Sequence, residues 1–213
     1  MWPHRWALYS FDAYINGARV YDYTFELTES SYFTAGVLCH EFFHVLGAPD
    51  LYHYDNNGAP DAVGGWDLME STSNPPQYMG AFLKWKYGDW IPEIPEITST
   101  GTYTLNPLQE QENSSYKIAS PNSETEYYVL EYRVKEGDYD SNTPGLRDGL
   151  LVYRINTEAG NGNAQGPPDE VYLYRPGGTL TSQGSFVSAP YNSACLLYTS
   201  PSPRDLSTSR MPS

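Results

Sequence analysis

The residues with the clearest chemical potential are two histidines and a glutamate that lie close together in the chain: His40, Glu41 and His44. On a helix, residues four apart share a face, so both imidazoles can reach a single metal ion. Glu41 points toward the same side, where it can take a proton from a water molecule. This H-E-x-x-H pattern is typical of zinc hydrolases in which the glutamate is the general base.

A third metal ligand is expected just after this helix. Gly47 can adopt the left-handed conformation that ends a helix, and the turn brings the chain back. Asp50 then falls at the third-ligand position of the extended pattern H-E-x-x-H-x-x-G-x-x-D, and zinc accepts carboxylate oxygen as well as imidazole nitrogen. His53 is the rival third ligand. Cys39 is a candidate fourth ligand, although we expect it to be a small buried apolar residue of the helix.

Two further segments must hold these residues in place. The segment 34–46 has helical periodicity, with its apolar faces supplied by Val37, Leu38, Phe42, Val45 and Leu46. The segment 64–71 carries Met69 after a glycine-rich stretch. Metzincin zinc peptidases place a methionine-containing turn beneath the metal, so we predict that Met69 forms the floor of the site without being a ligand.

A family resemblance is carried by three segments: Cys39–Met69, the opening Trp2–Trp6, and Asp148–Ile155. Together they resemble the immune inhibitor A family of metallopeptidases, over residues 2–193. The resemblance implies a secreted bacterial zinc endopeptidase with a metzincin-like catalytic domain. It also implies protein or peptide substrates outside the cell.

Charge and composition narrow the possible partners and cofactors. The net charge of −14 over 213 residues argues against nucleic-acid binding, which needs clustered lysines and arginines. No apolar run approaches the roughly 20 residues of a membrane helix, and no signal-peptide core follows Met1.

The two cysteines, Cys39 and Cys195, provide no disulfide framework. An acidic exported protein can bind calcium, so Ca²⁺ is a second candidate cofactor beside Zn²⁺. The oligomeric state is not defined.

Upstream of the metal-binding helix, the sequence predicts a β-hairpin. Asn16-Gly17 lies between two alternating apolar runs, which is a strong signal for a two-residue turn. The strand at 20–25 either belongs to a sheet over the cleft, whose edge pairs with substrate, or only covers the helix. His4 lies near two tryptophans and is predicted to be structural. The polar loop 50–61 favours an Asx turn over a calcium site.

Downstream, a helix is predicted at 77–87, after two prolines that open it. It closes a catalytic domain over residues 1–91, and the proline-spaced connector that follows is the predicted boundary. The segment 92–193 is typical of an antiparallel β-sandwich, with strands predicted at 103–105, 116–119, 127–134, 150–155, 171–174 and 185–188. The expected fold class is α+β, a truncated metzincin-like domain followed by this module.

Both ends of the chain are expected to differ from a natural protein. Residues 194–213 are rich in Ser, Pro and Arg without periodicity, which predicts disorder. They also resemble translated adaptor DNA, so we interpret this tail as an artefact. Metzincin-like domains have several strands and a backing helix before the metal-binding helix, whereas only residues 1–33 precede it here. We therefore interpret the chain as an internal fragment of a larger secreted zymogen.

The predicted reaction is hydrolysis of peptide bonds, with a metal-activated water and Glu41 as the general base. The group that stabilises the oxyanion is not assigned. Some metzincins use a tyrosine two residues after the methionine, but this chain has Ser71 there, so Tyr52 and Tyr78 are the candidates. The parent protein is expected to be active, and the activity of the fragment alone is left open. The alternative is a non-catalytic zinc-containing protein that binds surfaces or glycans, which would not need Glu41.

Overall fold

The computed structural model describes residues 2–28, 33–55, 58–110 and 112–191. It has two α-helices, α1 (Ala35–Val45) and α2 (Ala81–Lys86), and two 3₁₀ turns, Gly64–Trp66 and Phe186–Ser188. The strands are β1 (His4–Ala7), β2 (Ala13–Ile15), β3 (Ala18–Val20), β4 (Asp22–Phe25), β5 (Ser115–Ala119), β6 (Glu126–Arg133), β7 (Gly149–Asn156) and β8 (Val171–Leu173). This mixture of helices and antiparallel sheets agrees with the predicted α+β class. Among the described residues, no helix has both the length and the apolar character of a membrane span. The predicted tail and Cys195 lie outside the described ranges.

Two antiparallel strand pairs precede α1. Asn16 and Gly17, with φ of +50° and +79°, form the turn between β2 and β3, so the predicted hairpin is confirmed. The chain then leaves the hairpin, and β4 pairs with β1 instead. The strand predicted at 20–25 is therefore divided between two sheets. His4 on β1 stacks on Phe25, with ring centroids 5.4 Å apart.

The predicted bounds of α1 are confirmed. Thr34 is the N-cap, and its hydroxyl oxygen accepts a hydrogen bond from the backbone amide of Val37 at 3.2 Å. Leu46 is the C-cap, and Gly47 follows it with φ of +97°. Because this left-handed conformation is accessible to glycine without a steric penalty, the chain can reverse direction there.

The predicted apolar faces of α1 are wrong. Phe42 is 60% exposed, and three more residues of the predicted apolar set are exposed: Leu38, Val45 and Leu46. Cys39 is exposed as well, so its predicted burial is also wrong. The buried residues of the helix are Gly36, His40, Glu41 and Phe43. The helix turns its chemically active side inward, because the segments that surround the site pack on that side.

α2 begins later than predicted, at Ala81 instead of residue 77. Side chains from distant segments bind the amides at its start. The amide of Gly80 donates to Oδ2 of Asp67 at 2.6 Å, and the amide of Ala81 donates to Oε2 of Glu131 at 2.7 Å. The first amides of a helix have no partner within the helix, so these carboxylates take the place of a cap.

The segment after α2 forms one four-stranded antiparallel sheet in the order β5-β6-β7-β8. Alternate residues of β7 are buried. The strands predicted at 103–105 and 185–188 are wrong, because the first has no regular structure and the second is a 3₁₀ turn. Within the described part of 92–193 this is the only sheet, and the β-sandwich prediction is not confirmed. The sheet packs against α2 and the loop before it, which supply the apolar surface that a second sheet would provide.

One hydrophobic core contains residues from both sides of the predicted boundary after residue 91. Trp66, Met69 and Leu83 from the first segment belong to the same cluster as Leu151 and Ile155 from the second. The division into two domains stays a prediction, but in the structure the sheet and the N-terminal segment share one core.

A buried group of charges joins the sheet to the loop before α2. Arg133, which is 1% exposed, donates two hydrogen bonds of 2.8 Å to Asp140 and one of 2.9 Å to Glu131. It also donates to the carbonyl of Trp66 at 3.0 Å. Burial raises the pKa of the neighbouring Asp67 to about 6. Buried charges of this kind are tolerated only while each keeps its partners.

Removing the guanidinium of Arg133 is expected to destabilise the fold strongly. In Arg133→Met, the carboxylates of Glu131 and Asp140 stay buried without their cation, and the free energy of unfolding should fall by about 3–5 kcal/mol. Urea denaturation followed by circular dichroism measures the change. The matched control is Lys117→Met, which removes only the more exposed pair with Glu96 and should cost about 1 kcal/mol or less. Equal losses in the two variants would contradict this account of the core.

Candidate metal centre

Three side chains bring one ligand atom each to a common point: His40, His44 and Asp50. The Nε2 atoms of His40 and His44 lie 3.0 and 3.3 Å from Oδ1 of Asp50. The three atoms lie within 4.8 Å of one another, and this is the one group of its kind among the described residues. The structure therefore brings together the three residues that were predicted as ligands. Asp50 reaches the two histidines because the chain reverses at Gly47.

Backbone carbonyls fix which nitrogen of each imidazole faces this point. Nδ1 of His40 lies 2.9 Å from the carbonyl oxygen of Leu68, and Nδ1 of His44 lies 2.7 Å from that of Ala48. A carbonyl oxygen can only accept, so each Nδ1 carries the hydrogen. In the neutral imidazole each Nε2 then carries the lone pair, which is the state that binds a metal ion.

Asp50 is oriented by Tyr54, a residue that the sequence reasoning did not identify. The phenol of Tyr54 donates to Oδ2 of Asp50 at 2.5 Å, which leaves Oδ1 facing the histidines. Oδ1 is buried and accepts no hydrogen bond. Burial alone would raise the pKa of Asp50, but the nearness of His40, His44 and Tyr54 holds it well below its usual range. The group is therefore a carboxylate at neutral pH.

This set of donor atoms fits a Zn²⁺ ion. Two imidazole nitrogens and a carboxylate oxygen converge, and this oxygen, Oδ1 of Asp50, is buried without a hydrogen bond, which is unfavourable for a carboxylate. A bound cation removes that penalty. Two nitrogens and one oxygen are usual zinc ligands, and three protein ligands leave a fourth position open. Calcium prefers oxygen ligands throughout, so this group does not support the Ca²⁺ prediction.

Glu41 lies beside the ligating group without belonging to it. The residue is 7% exposed, on the buried side of α1. Burial raises the pKa of Glu41, and the imidazoles of His40 and His44 lower it in part. A raised pKa makes the carboxylate a stronger base than an ordinary glutamate, and this suits a general base.

The other candidate ligands lie outside the group. Nε2 of His53 is 2.7 Å from Oδ1 of Asp169, and both side chains are buried. His4 is in the stacking contact on β1, and Cys39 is on the exposed side of α1. His53 thus has a carboxylate partner of its own, a role that its spacing from Asp50 did not indicate.

The methionine-containing turn forms another wall of the site. Leu68 supplies the carbonyl that binds His40. Met69 is fully buried, and its carbonyl accepts a hydrogen bond of 2.9 Å from the amide of Leu51, the residue after Asp50. The turn therefore contacts His40 and the residue after Asp50. The role of Met69 as the floor of the site stays a prediction. No side-chain pattern could have revealed the carbonyl of Leu68.

Of the two candidate tyrosines, Tyr52 contacts a side chain of the ligating group. Its ring stacks on His40, with centroids 6.4 Å apart. Burial and the nearness of Asp50 raise the pKa of Tyr52, so the phenol stays protonated and can donate. The backbone carbonyl of Tyr78 instead binds the buried Arg133.

Comparison with known proteins gives one match. Residues 1–83 match the family model described as immune inhibitor A peptidase M6, catalytic domain. The predicted resemblance is confirmed over this range, and residues 84–193 lie outside it. Neither the curated proteins nor the solved structures gave a match.

Zinc binding is expected to depend on the three converging side chains. The wild-type chain should hold about one zinc after dialysis, and His44→Ala and Asp50→Ala should each lose it, because two donors do not form a stable site. Elemental analysis of the purified proteins measures the stoichiometry. His4→Ala is the matched control and should keep the metal, since the contacts of His4 are with Trp2, Tyr23 and Phe25. Full zinc occupancy in Asp50→Ala would contradict the ligand set.

Proposed function

We propose that this chain, whose residues 1–83 match the immune inhibitor A peptidase family, is a zinc-dependent endopeptidase. The observation that carries the proposal is the convergence of His40, His44 and Asp50 beside the buried Glu41. Zinc, when bound, lowers the pKa of a water molecule and polarises the scissile carbonyl. The proposed substrates are extracellular proteins or peptides, and the proposed location is outside the cell.

The side chains of the site have separate tasks in this reaction. His40 and His44 hold the metal through Nε2, while their Nδ1 hydrogens stay bound to carbonyls. The carboxylate of Glu41 accepts the proton of the attacking water and passes it to the nitrogen of the leaving amine. Tyr52 is the proposed donor to the oxygen of the substrate carbonyl, since its phenol is protonated and its ring stacks on His40.

The proposed surroundings of the site are metzincin-like. α1 carries the two histidines, and the turn at Met69 lies beside both ends of the ligand set. β1 and β4 pair with each other and pack against α1, which supports the interpretation that this strand pair covers the helix. Pairing of a substrate with an edge strand stays a prediction.

Glu41→Gln tests the mechanism directly. The amide keeps the size of the side chain but cannot take the proton, so casein hydrolysis by the zinc-loaded chain should fall about 10²- to 10⁴-fold. Zinc content, measured on the same samples, should be unchanged because Glu41 is not a ligand. Glu93→Gln is the matched control, since Glu93 is exposed and should keep full activity.

Two results would contradict the proposal. Unchanged hydrolysis by Glu41→Gln would exclude Glu41 as the base. A folded, zinc-loaded wild-type chain that does not cleave casein, with or without a chelator, would contradict the proposal that this chain is itself a peptidase. Under the proposal, a chelator abolishes hydrolysis and added zinc restores it.

A further inference from the structure

The loop that carries Asp50 is held by residues far along the chain. We propose that the segment 162–169, in the connection between β7 and β8, positions Asp50 for metal binding. The metal centre would then extend beyond residues 1–83, the range that matches the peptidase family. This inference rests on the proposed zinc function, but it concerns positioning residues and no additional ligand.

Two backbone hydrogen bonds join this segment to the Asp50 loop. The amide of Asn163 donates to the carbonyl of Asp50 at 3.0 Å, and the amide of Tyr54 donates to the carbonyl of Ala164 at 2.9 Å. Tyr54 is also the residue whose phenol binds Oδ2 of Asp50. The segment therefore fixes the backbone of the proposed ligand and of the residue that orients its carboxylate.

A buried side-chain pair makes a third attachment. Nε2 of His53 lies 2.7 Å from Oδ1 of Asp169, and the side chains are 8% and 3% exposed. Since His53 lies between Asp50 and Tyr54 in the chain, this contact holds the same loop at a third point. His53, the other candidate for the third ligand, thus helps to position Asp50.

The segment is itself attached firmly to β8. Asn163 is fully buried, and its side-chain amide makes two hydrogen bonds with the backbone of Val171, of 2.8 and 3.0 Å. The amide of Gly162 donates to Oε2 of Glu170 at 2.5 Å. β8 pairs with β7 in the sheet. The position of Asp50 is therefore fixed relative to the sheet.

Gly162 shows how closely the two segments approach. A Cβ atom at this position, where φ is +73°, would overlap the carbonyl oxygen of Asp50 and lie 2.8 Å from Cβ of Pro49. Gly160, two residues earlier, also has a positive φ of +46°, but a Cβ there would have no atom within 4 Å. The two glycines share the same backbone restriction and differ in contact with the Asp50 loop.

This difference provides a matched pair of variants. Gly162→Ala should push the backbone of Asp50 away from the histidines and weaken zinc binding by about 10- to 100-fold, the usual effect of disturbing the support of a metal ligand. Gly160→Ala should keep the wild-type affinity. Competition with a chromophoric chelator gives both affinities, and the absorption spectrum of the Co²⁺-substituted proteins should change only for Gly162→Ala.

A second pair of variants tests the contact between His53 and Asp169. It also tests the positioning of Asp50 if Gly162→Ala does not fold. Asp169→Ala should weaken zinc binding, whereas Asp169→Asn keeps an oxygen that can accept from His53 and should restore much of the affinity. Near-ultraviolet circular dichroism confirms that the proteins compared are folded.

The outcomes separate this inference from the proposed function. A folded wild-type chain that binds no zinc would overturn both. Zinc binding by the wild type with unchanged affinity and Co²⁺ spectra in Gly162→Ala and Asp169→Ala would overturn the positioning role alone. Equal weakening in Gly160→Ala and Gly162→Ala would also overturn it, because the effect would then come from backbone strain.

Discussion

The constraint on which the site depends is a buried carboxylate oxygen that faces two imidazole lone pairs. Oδ1 of Asp50 has no hydrogen-bond donor, and the Nε2 atoms of His40 and His44 lie within 3.3 Å of it. Three electron-pair donors so close together repel one another unless a cation lies between them. Each Nδ1 is bound to a carbonyl, so the Nε2 atoms are the ring atoms that face Oδ1. The fold therefore maintains an arrangement that a bound metal ion satisfies.

The segment after residue 83 supports this arrangement although the family match ends there. Arg133 on β6 binds the carbonyl of Trp66, in the same loop whose Leu68 carbonyl binds His40. The connection from β7 to β8 contacts the backbone of Asp50. Residues after 83 thus contact both the loop that supports His40 and the loop that carries Asp50. A shared hydrophobic core gives these contacts a rigid base, because close-packed interiors transmit small displacements.

The elements that local signals control were predictable from the sequence. Thr34 and Gly47 define the ends of α1, and Asn16-Gly17 defines the hairpin turn, because capping and turn residues act over a few positions. The start of α2 was predicted wrongly, since carboxylates from distant segments bind its first amides. The exposed face of α1 was also predicted wrongly, because periodicity locates an apolar stripe but does not show what packs on it. Likewise, spacing placed Asp50 near the histidines, whereas the partner of His53 depends on tertiary structure.

The central claim is that one zinc ion is bound by His40, His44 and Asp50. The most direct measurement is an anomalous-difference map at the zinc absorption edge, from crystals of the zinc-loaded chain. If these three side chains bind the ion, a single peak should lie about 2.0–2.2 Å from both Nε2 atoms and from Oδ1 of Asp50. A peak bound instead to His53 and Asp169, or no peak at the three side chains in a crystal with zinc present, would contradict it.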